Sequence, residues 1–185
     1  MSSRKLSSPA GFTLVEALIV LAILAVLMSL AAPSWGGLIG RSHGRAAQNL
    51  LATALSQARA TAVSRARHVV MCPSLDGAQC HPGTAWQHGW IMFADLDRDG
   101  VPGPHDTLLA VGQAMPSGTA IISTVGRTRV NYRPDGSATG TNQTLTICDR
   151  RDGSTATALI ISQAGRVRSA PATPAALAAC LQAAG

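Results

Sequence analysis

Residues Phe12 to Ala32 form an apolar run of 21 residues broken by one charge, Glu16. At about 1.5 Å per residue, a helix of this length spans roughly 30 Å, the thickness of a bilayer's hydrocarbon core. Arg4 and Lys5 precede the run, which predicts a cytoplasmic N-terminus. A secretory signal peptide is the competing reading. Against it, the run is long for the apolar part of such a peptide, and Glu16 sits near its start. A carboxylate inside a membrane is costly and requires a partner. No nearby cation in the sequence supplies one.

The chain has 185 residues, room for one domain on a stalk. With 46% hydrophobic and 13% charged residues it is neither disordered nor a charged coiled coil. Pro33 ends or kinks the first helix, and Gly36, Gly37, Gly40 and Gly44 lower helix propensity after it. From Ala46 the pattern recovers, with Ala47, Leu50, Leu51, Ala54, Leu55, Ala58, Ala62, Val63 and Ala66 at helical spacing. The spacing predicts one long helix from about Phe12 to Arg67, weakened between Pro33 and Gly44. Its second half should pack an apolar stripe on a head.

From His68 short β-type runs alternate with Gly, Pro, Asp and Asn. Strands are expected at His68–Cys72, Gly89–Ala94, Thr107–Val111, Ala120–Thr124, Arg129–Tyr132, Thr144–Cys148, Ala156–Ile161 and Arg166–Arg168. Such spacing predicts antiparallel hairpins and an α+β class, not parallel crossovers. The Ala/Pro-rich tail from Ser169 is poorly patterned, yet it carries Cys180.

The residues Gly11-Phe12-Thr13-Leu14-Val15-Glu16, followed by an apolar helix, resemble the N-terminus of type IV pilins and type II secretion pseudopilins. The resemblance implies cleavage between Gly11 and Phe12 by a prepilin peptidase and N-methylation of Phe12. It also implies that Glu16 pairs with the N-terminal amine of a neighbouring subunit, since two buried charges become tolerable when they meet. In the head, Met71-Cys72-Pro73-Ser74, Gly89-Trp90-Ile91-Met92-Phe93-Ala94-Asp95 and Ile160-Ile161-Ser162 through Gly165-Arg166-Val167-Arg168 resemble the FimT/GspH-type minor pilins and pseudopilins. The implied fold is that of a type IV pilin, a long N-terminal α-helix with a C-terminal antiparallel β-sheet head. The implied organisation is a leader at 1–11, a membrane and assembly helix at 12–33, its amphipathic continuation at 34–67 and a β-rich head at 68–185. Such a protein would cross the inner membrane once, hold its head in the periplasm and join a pilus or pseudopilus with other major and minor pilins.

Cys72, Cys80, Cys148 and Cys180 all follow the apolar run. Outside the cytoplasm disulfides are the default, and four cysteines permit three connectivities. The favoured one joins Cys72 to Cys80 around a Pro/Gly loop and Cys148 to Cys180, pinning the tail to a strand. Zinc on Cys72, Cys80, His81 and His88 is the weaker alternative, because the spacing is irregular and the compartment oxidising. Asp95, Asp97, Asp99, Gly100 and Asp106 repeat the spacing of a calcium loop. Strand-like flanks, a final Asp where a longer Glu is usual, and Pro102 and Pro104 favour an Asp/Gly-rich hairpin turn instead, so no metal is expected. His43, His68, His81, His88 and His105 form no catalytic set, and no nucleophile motif or phosphate loop is present. Neither an enzyme nor a cofactor is expected.

The formal charge of +6 is segregated. Residues 41–67 hold five arginines and no acid, residues 68–119 one arginine and five aspartates, and residues 120–185 seven arginines and three aspartates. The late arginines include the pairs Arg127/Arg129, Arg150/Arg151 and Arg166/Arg168. On a strand, Arg166 and Arg168 would project from one face, with Gly165 suiting a tight turn before them. Two such arginines match neighbouring phosphates, and each neutralised phosphate releases counterions. Gly165-Arg166-Val167-Arg168 also resembles the C-terminal signature of FimT-like pilins linked to DNA binding in natural transformation. That implies non-specific capture of double-stranded DNA, with Arg127, Arg129, Arg150 and Arg151 extending the site. Only Tyr132 among the aromatic residues lies in the arginine-rich part, so phosphate contacts rather than base stacking are expected. Two alternatives stand beside this. The arginines can form a solvated face or pair with Asp135, Asp149 and Asp152, and the protein can be a purely structural minor pilin or pseudopilin that primes filament assembly.

Overall fold

The computed structural model describes residues 12–140 and 142–184, with the side chains of 30–35 excepted. The expected leader, including Gly11, lies outside the described residues, as do the side chains of Leu30, Ala31 and Ala32 at the end of the apolar run. Among the described residues no helix is long and apolar enough to cross a membrane. The chain divides into two compact units, residues 1–36 and 37–185.

Helix α1 covers Leu14–Ser64. Its start is set by Thr13, whose hydroxyl accepts the Glu16 amide at 3.3 Å and whose carbonyl accepts the Ala17 amide at 3.1 Å. Thr13 and Glu16 thus have the spacing of a capping box, in which a hydroxyl satisfies an otherwise unpaired amide of the first turn. In the first unit Phe12, Leu14, Ile19, Leu21, Val26 and Met28 are exposed.

In the second unit the helix continues through Gly37, Gly40 and Gly44, where weakening was expected. Gly40 has a packing reason: a Cβ there would lie 2.7 Å from the Asp152 amide nitrogen and 2.9 Å from Asp149 Oδ1. The helix stops at Ser64, three residues before the expected end, and Ala66 turns the chain with φ of 49°. Ala47, Leu51, Ala54, Leu55, Ala58 and Ala62 are buried as their spacing demands, whereas Leu50 and Val63 stay exposed.

Eight strands follow: β1 His68–Pro73, β2 Trp90–Asp95, β3 Thr107–Gly112, β4 Thr119–Ser123, β5 Val130–Tyr132, β6 Gln143–Asp149, β7 Ala156–Ile161 and β8 Val167–Pro171. They form two four-stranded antiparallel sheets, ordered β3-β2-β1-β5 and β4-β6-β7-β8. The inner faces (Val69, Met71, Met92 and Tyr132 from one sheet, Ile121, Leu145, Ile147, Leu159 and Ile161 from the other) share one core with the buried stripe of α1, Trp86 and Trp90. Each Val, Leu, Ile or Met among them contributes about 1.5–3 kcal/mol by leaving water.

Both sheets are also covered on their outer faces. Val70, Cys72, Ile91 and Phe93 pack with Cys80, which a disulfide ties to Cys72. This explains why β2 is buried at every position instead of alternating. Ala120 and Cys148 pack under α2, Pro174–Ala183, through the Cys148–Cys180 disulfide. Helix α2 corrects the reading of the tail as unpatterned. Thr173 caps it, accepting the Ala176 amide at 3.2 Å, and Pro174 fits the first turn, where no amide partner is needed.

Candidate nucleic-acid interface

The segment holding Arg166 and Arg168 begins with a tight turn. The Gly165 amide donates to Ser162 O at 2.8 Å, Ser162 N to Arg166 O at 3.0 Å, and Arg166 N to Ser162 Oγ at 3.2 Å. Gly165 has φ of 73° and is buried, and a Cβ there would overlap the carbonyl oxygen of Gly136. Arg59 of α1 closes this junction. Its Nε donates to Gly136 O at 2.8 Å and its Nη2 to Ala164 O at 3.1 Å. Gly165 therefore touches protein, and its place beside the two arginines is positional.

Arg166 and Arg168 are both exposed, and neither forms an ion pair among the described residues. They do not share a strand face, which corrects the expected i, i+2 arrangement. Arg166 uses its backbone to close the turn, so β8 starts only at Val167. Within β8, Val167 packs on the core and Ser169 accepts a hydrogen bond from Gln48 of α1 at 3.0 Å, so both face the helix. Arg168 lies opposite Ile160 in register and shares its outward face. Arg166 instead lines a groove of about 820 Å³ whose other walls are Ser56, Arg59, Ala60 and Val63 of α1, with Asp135. Arg168 thus lies on, and Arg166 just before, an edge strand of the second sheet.

The other candidate arginines are dispersed. Arg127 and Arg129 lie in the loop between β4 and β5, not on a strand. Arg129 donates to Gly100 O, and Arg127 lies beside Gly140, where a Cβ would be 2.5 Å from its Nη1. Arg151 pairs with Asp149 at 3.3 Å, while Arg150 is exposed and its amide donates to Gly118 O at 2.8 Å. Asp149 is buried and also accepts the Thr119 hydroxyl at 2.6 Å. Asp152 takes Arg41 of α1 at 3.8 Å. Pairing with aspartates therefore accounts for Arg151, but not for Arg166 or Arg168. Tyr132 is fully buried and presents no ring for stacking; burial pushes its phenol above the usual range, with the Arg59 charge pulling the other way.

One oxygen from each of Asp95, Asp97, Asp99 and Asp106 falls within 4.8 Å of the others, a spacing a cation could occupy. The loop also closes on its own amides. Asp95 accepts Arg98 N and Gly100 N, Asp97 accepts Asp99 N, Asp99 accepts Val101 N, and Asp106 accepts Leu96 N and Gly103 N. Burial raises the Asp95 carboxyl above its usual range against the pull of these amides, and the charges of Asp106 and Asp97 add to the rise. Both cysteines of the alternative zinc set are engaged in disulfides, Cys72 with Cys80.

Residues 47–165 match the family model of the type II transport protein GspH, and residues 6–32 match the prokaryotic N-terminal methylation motif. Two crystal forms of the type IV minor pilin FimU of Pseudomonas aeruginosa share this fold at 22% identity. They cover 69% and 71% of this chain and 92% and 90% of their own, with TM-scores of 0.53 and 0.56. The minor pseudopilin EpsH of the type 2 secretion system of Vibrio cholerae matches at 10% identity over 70% of this chain and 97% of its own, with a TM-score of 0.50. No curated protein matches the chain. With an α+β fold shared with these pilin structures, the chain belongs to the family of the type II transport protein GspH.

Proposed function

We propose that this minor pilin binds double-stranded DNA non-specifically through its head, for uptake in natural transformation. The reading is supported by one observation above the others: Arg166 and Arg168 are exposed at an edge strand, with no acidic side chain paired to them among the described residues. Contacts of this kind would be to phosphates, tolerant of sequence and weakened by salt. Arg150 is a candidate extension. Arg127, Arg129 and Arg151 are secondary, since each already has a neighbour in the head.

In the same reading, a prepilin peptidase cleaves between Gly11 and Phe12 and methylates Phe12. Residues 12–33 then anchor the protein in the inner membrane with the head in the periplasm. Glu16 meets the N-terminus of a neighbouring pilin on assembly.

The test is a salt titration of duplex binding by the full-length protein in a neutral detergent, beside Arg166→Gln/Arg168→Gln. Wild type is expected to bind at low salt. Two lost phosphate contacts should reduce the slope of log K against log salt by about 1.8. Absence of binding at low salt would leave the second reading, a structural minor pilin or pseudopilin that primes assembly. That reading is favoured by the engagement of Arg129 and Arg151 within the head itself.

A further inference from the structure

The groove beside Arg166 contains an opposing charge. Asp135 lines it together with Arg59 and Arg166. Asp135 is exposed and is fixed at the tip of its turn by accepting the Ser137 amide at 2.8 Å and the Ser137 hydroxyl at 2.6 Å. The same turn carries Gly136, whose carbonyl is held by Arg59 and covers Gly165. Asp135 and Arg166 are therefore set on two turns locked to each other and to α1. Arg59 directs its Nε and Nη2 at carbonyls, so the cation this groove offers to a ligand is Arg166.

Resting on the DNA reading above, we propose that the phosphodiester backbone runs along this groove with Arg166 as its contact and Asp135 as a fixed repulsive charge that keeps binding weak and reversible. An anion seated against Arg166 lies within the field of a carboxylate that cannot swing away while it is bonded to Ser137. Neither side chain pairs with the other by ion-pair distance among the described residues.

Asp135→Asn isolates the charge, because an amide oxygen still accepts from Ser137 and the turn is kept. The experiment compares duplex affinity and its salt dependence, by fluorescence anisotropy with a labelled duplex, for the full-length protein and the variants Asp135→Asn, Asp76→Asn and Arg166→Gln. Asp76 is an exposed acid in a loop that does not line the groove, so it controls for net charge. The expected result is that Asp135→Asn binds about threefold tighter, within the range of exposed charge pairs, with the salt slope and the melting temperature unchanged, while Asp76→Asn leaves affinity as it was. Two outcomes overturn the groove while the DNA reading stands: no tightening in Asp135→Asn although Arg166→Gln weakens binding, or equal tightening in Asp76→Asn. Absence of wild-type binding overturns the DNA reading and this inference with it.

Discussion

Asp76 and Asp95 each accept two backbone amides, yet their carboxyls move in opposite directions. Asp76 is exposed, so the amides of Gln79 and Ala78 hold it below the ordinary 3.8. Asp95 is buried, and desolvation outweighs its amides. The signs follow from linkage. A depressed carboxyl supports the fold above 3.8, and that support is lost as pH falls through its folded value. A raised one gives its share below 3.8, and the share is lost as pH rises through its folded value. In an acid titration followed by carboxyl NMR, Asp95 should protonate before Asp76; the reverse order would refute the burial argument. At this scale the sequence reading captured residue identity but not environment. Gly165 was legible as a turn residue because glycine tolerates positive φ. Its contact with Gly136, which comes from a different turn, carries no local signal.

Among the elements, the two disulfides close loops of unequal length, with sequence separations of 8 and 32. Loop-closure entropy then assigns about 2.5 kcal/mol to Cys72–Cys80 and about 3.7 kcal/mol to Cys148–Cys180. Cys148→Ser/Cys180→Ser should therefore cost more in urea unfolding than Cys72→Ser/Cys80→Ser. A larger loss from the short loop would mean that packing against Phe93 and Ile91 decides, not chain entropy. All eight strands were legible within a few residues, because turn residues bound each β-type run. The tail helix was not. Its Ala-rich sequence is apolar nearly all round, so the face of Leu177, Cys180 and Leu181 that packs on the second sheet does not stand out, and the local marks were Thr173 and Pro174 at its start. Nor could strand periodicity show that Arg166 falls outside β8, since that depends on Ser162 reaching across the turn.

For the molecule as a whole, the charge and the apolar surface are divided between the two units. The described part of residues 12–36 leaves large apolar side chains such as Phe12, Leu14, Val15 and Met28 more than 60% exposed, with Glu16 as its single charge. Surface of this kind marks a segment that is completed by a membrane or by other chains. In the second unit the apolar core is closed, and Arg150, Arg166 and Arg168 are exposed. Under the proposed function, the division argues that assembly and duplex binding separate genetically. The amide of Glu16 is satisfied by Thr13 whatever its side chain, so Glu16→Ala preserves that bond at the helix start and removes only the carboxylate. The expected outcome is a sharp fall in the protein recovered in sheared surface filaments, with duplex binding by the detergent-solubilised chain unchanged. If duplex binding fell in parallel with incorporation, the charge at position 16 and the arginines of the head would belong to one functional surface, and the division into an assembly segment and a binding head would be wrong.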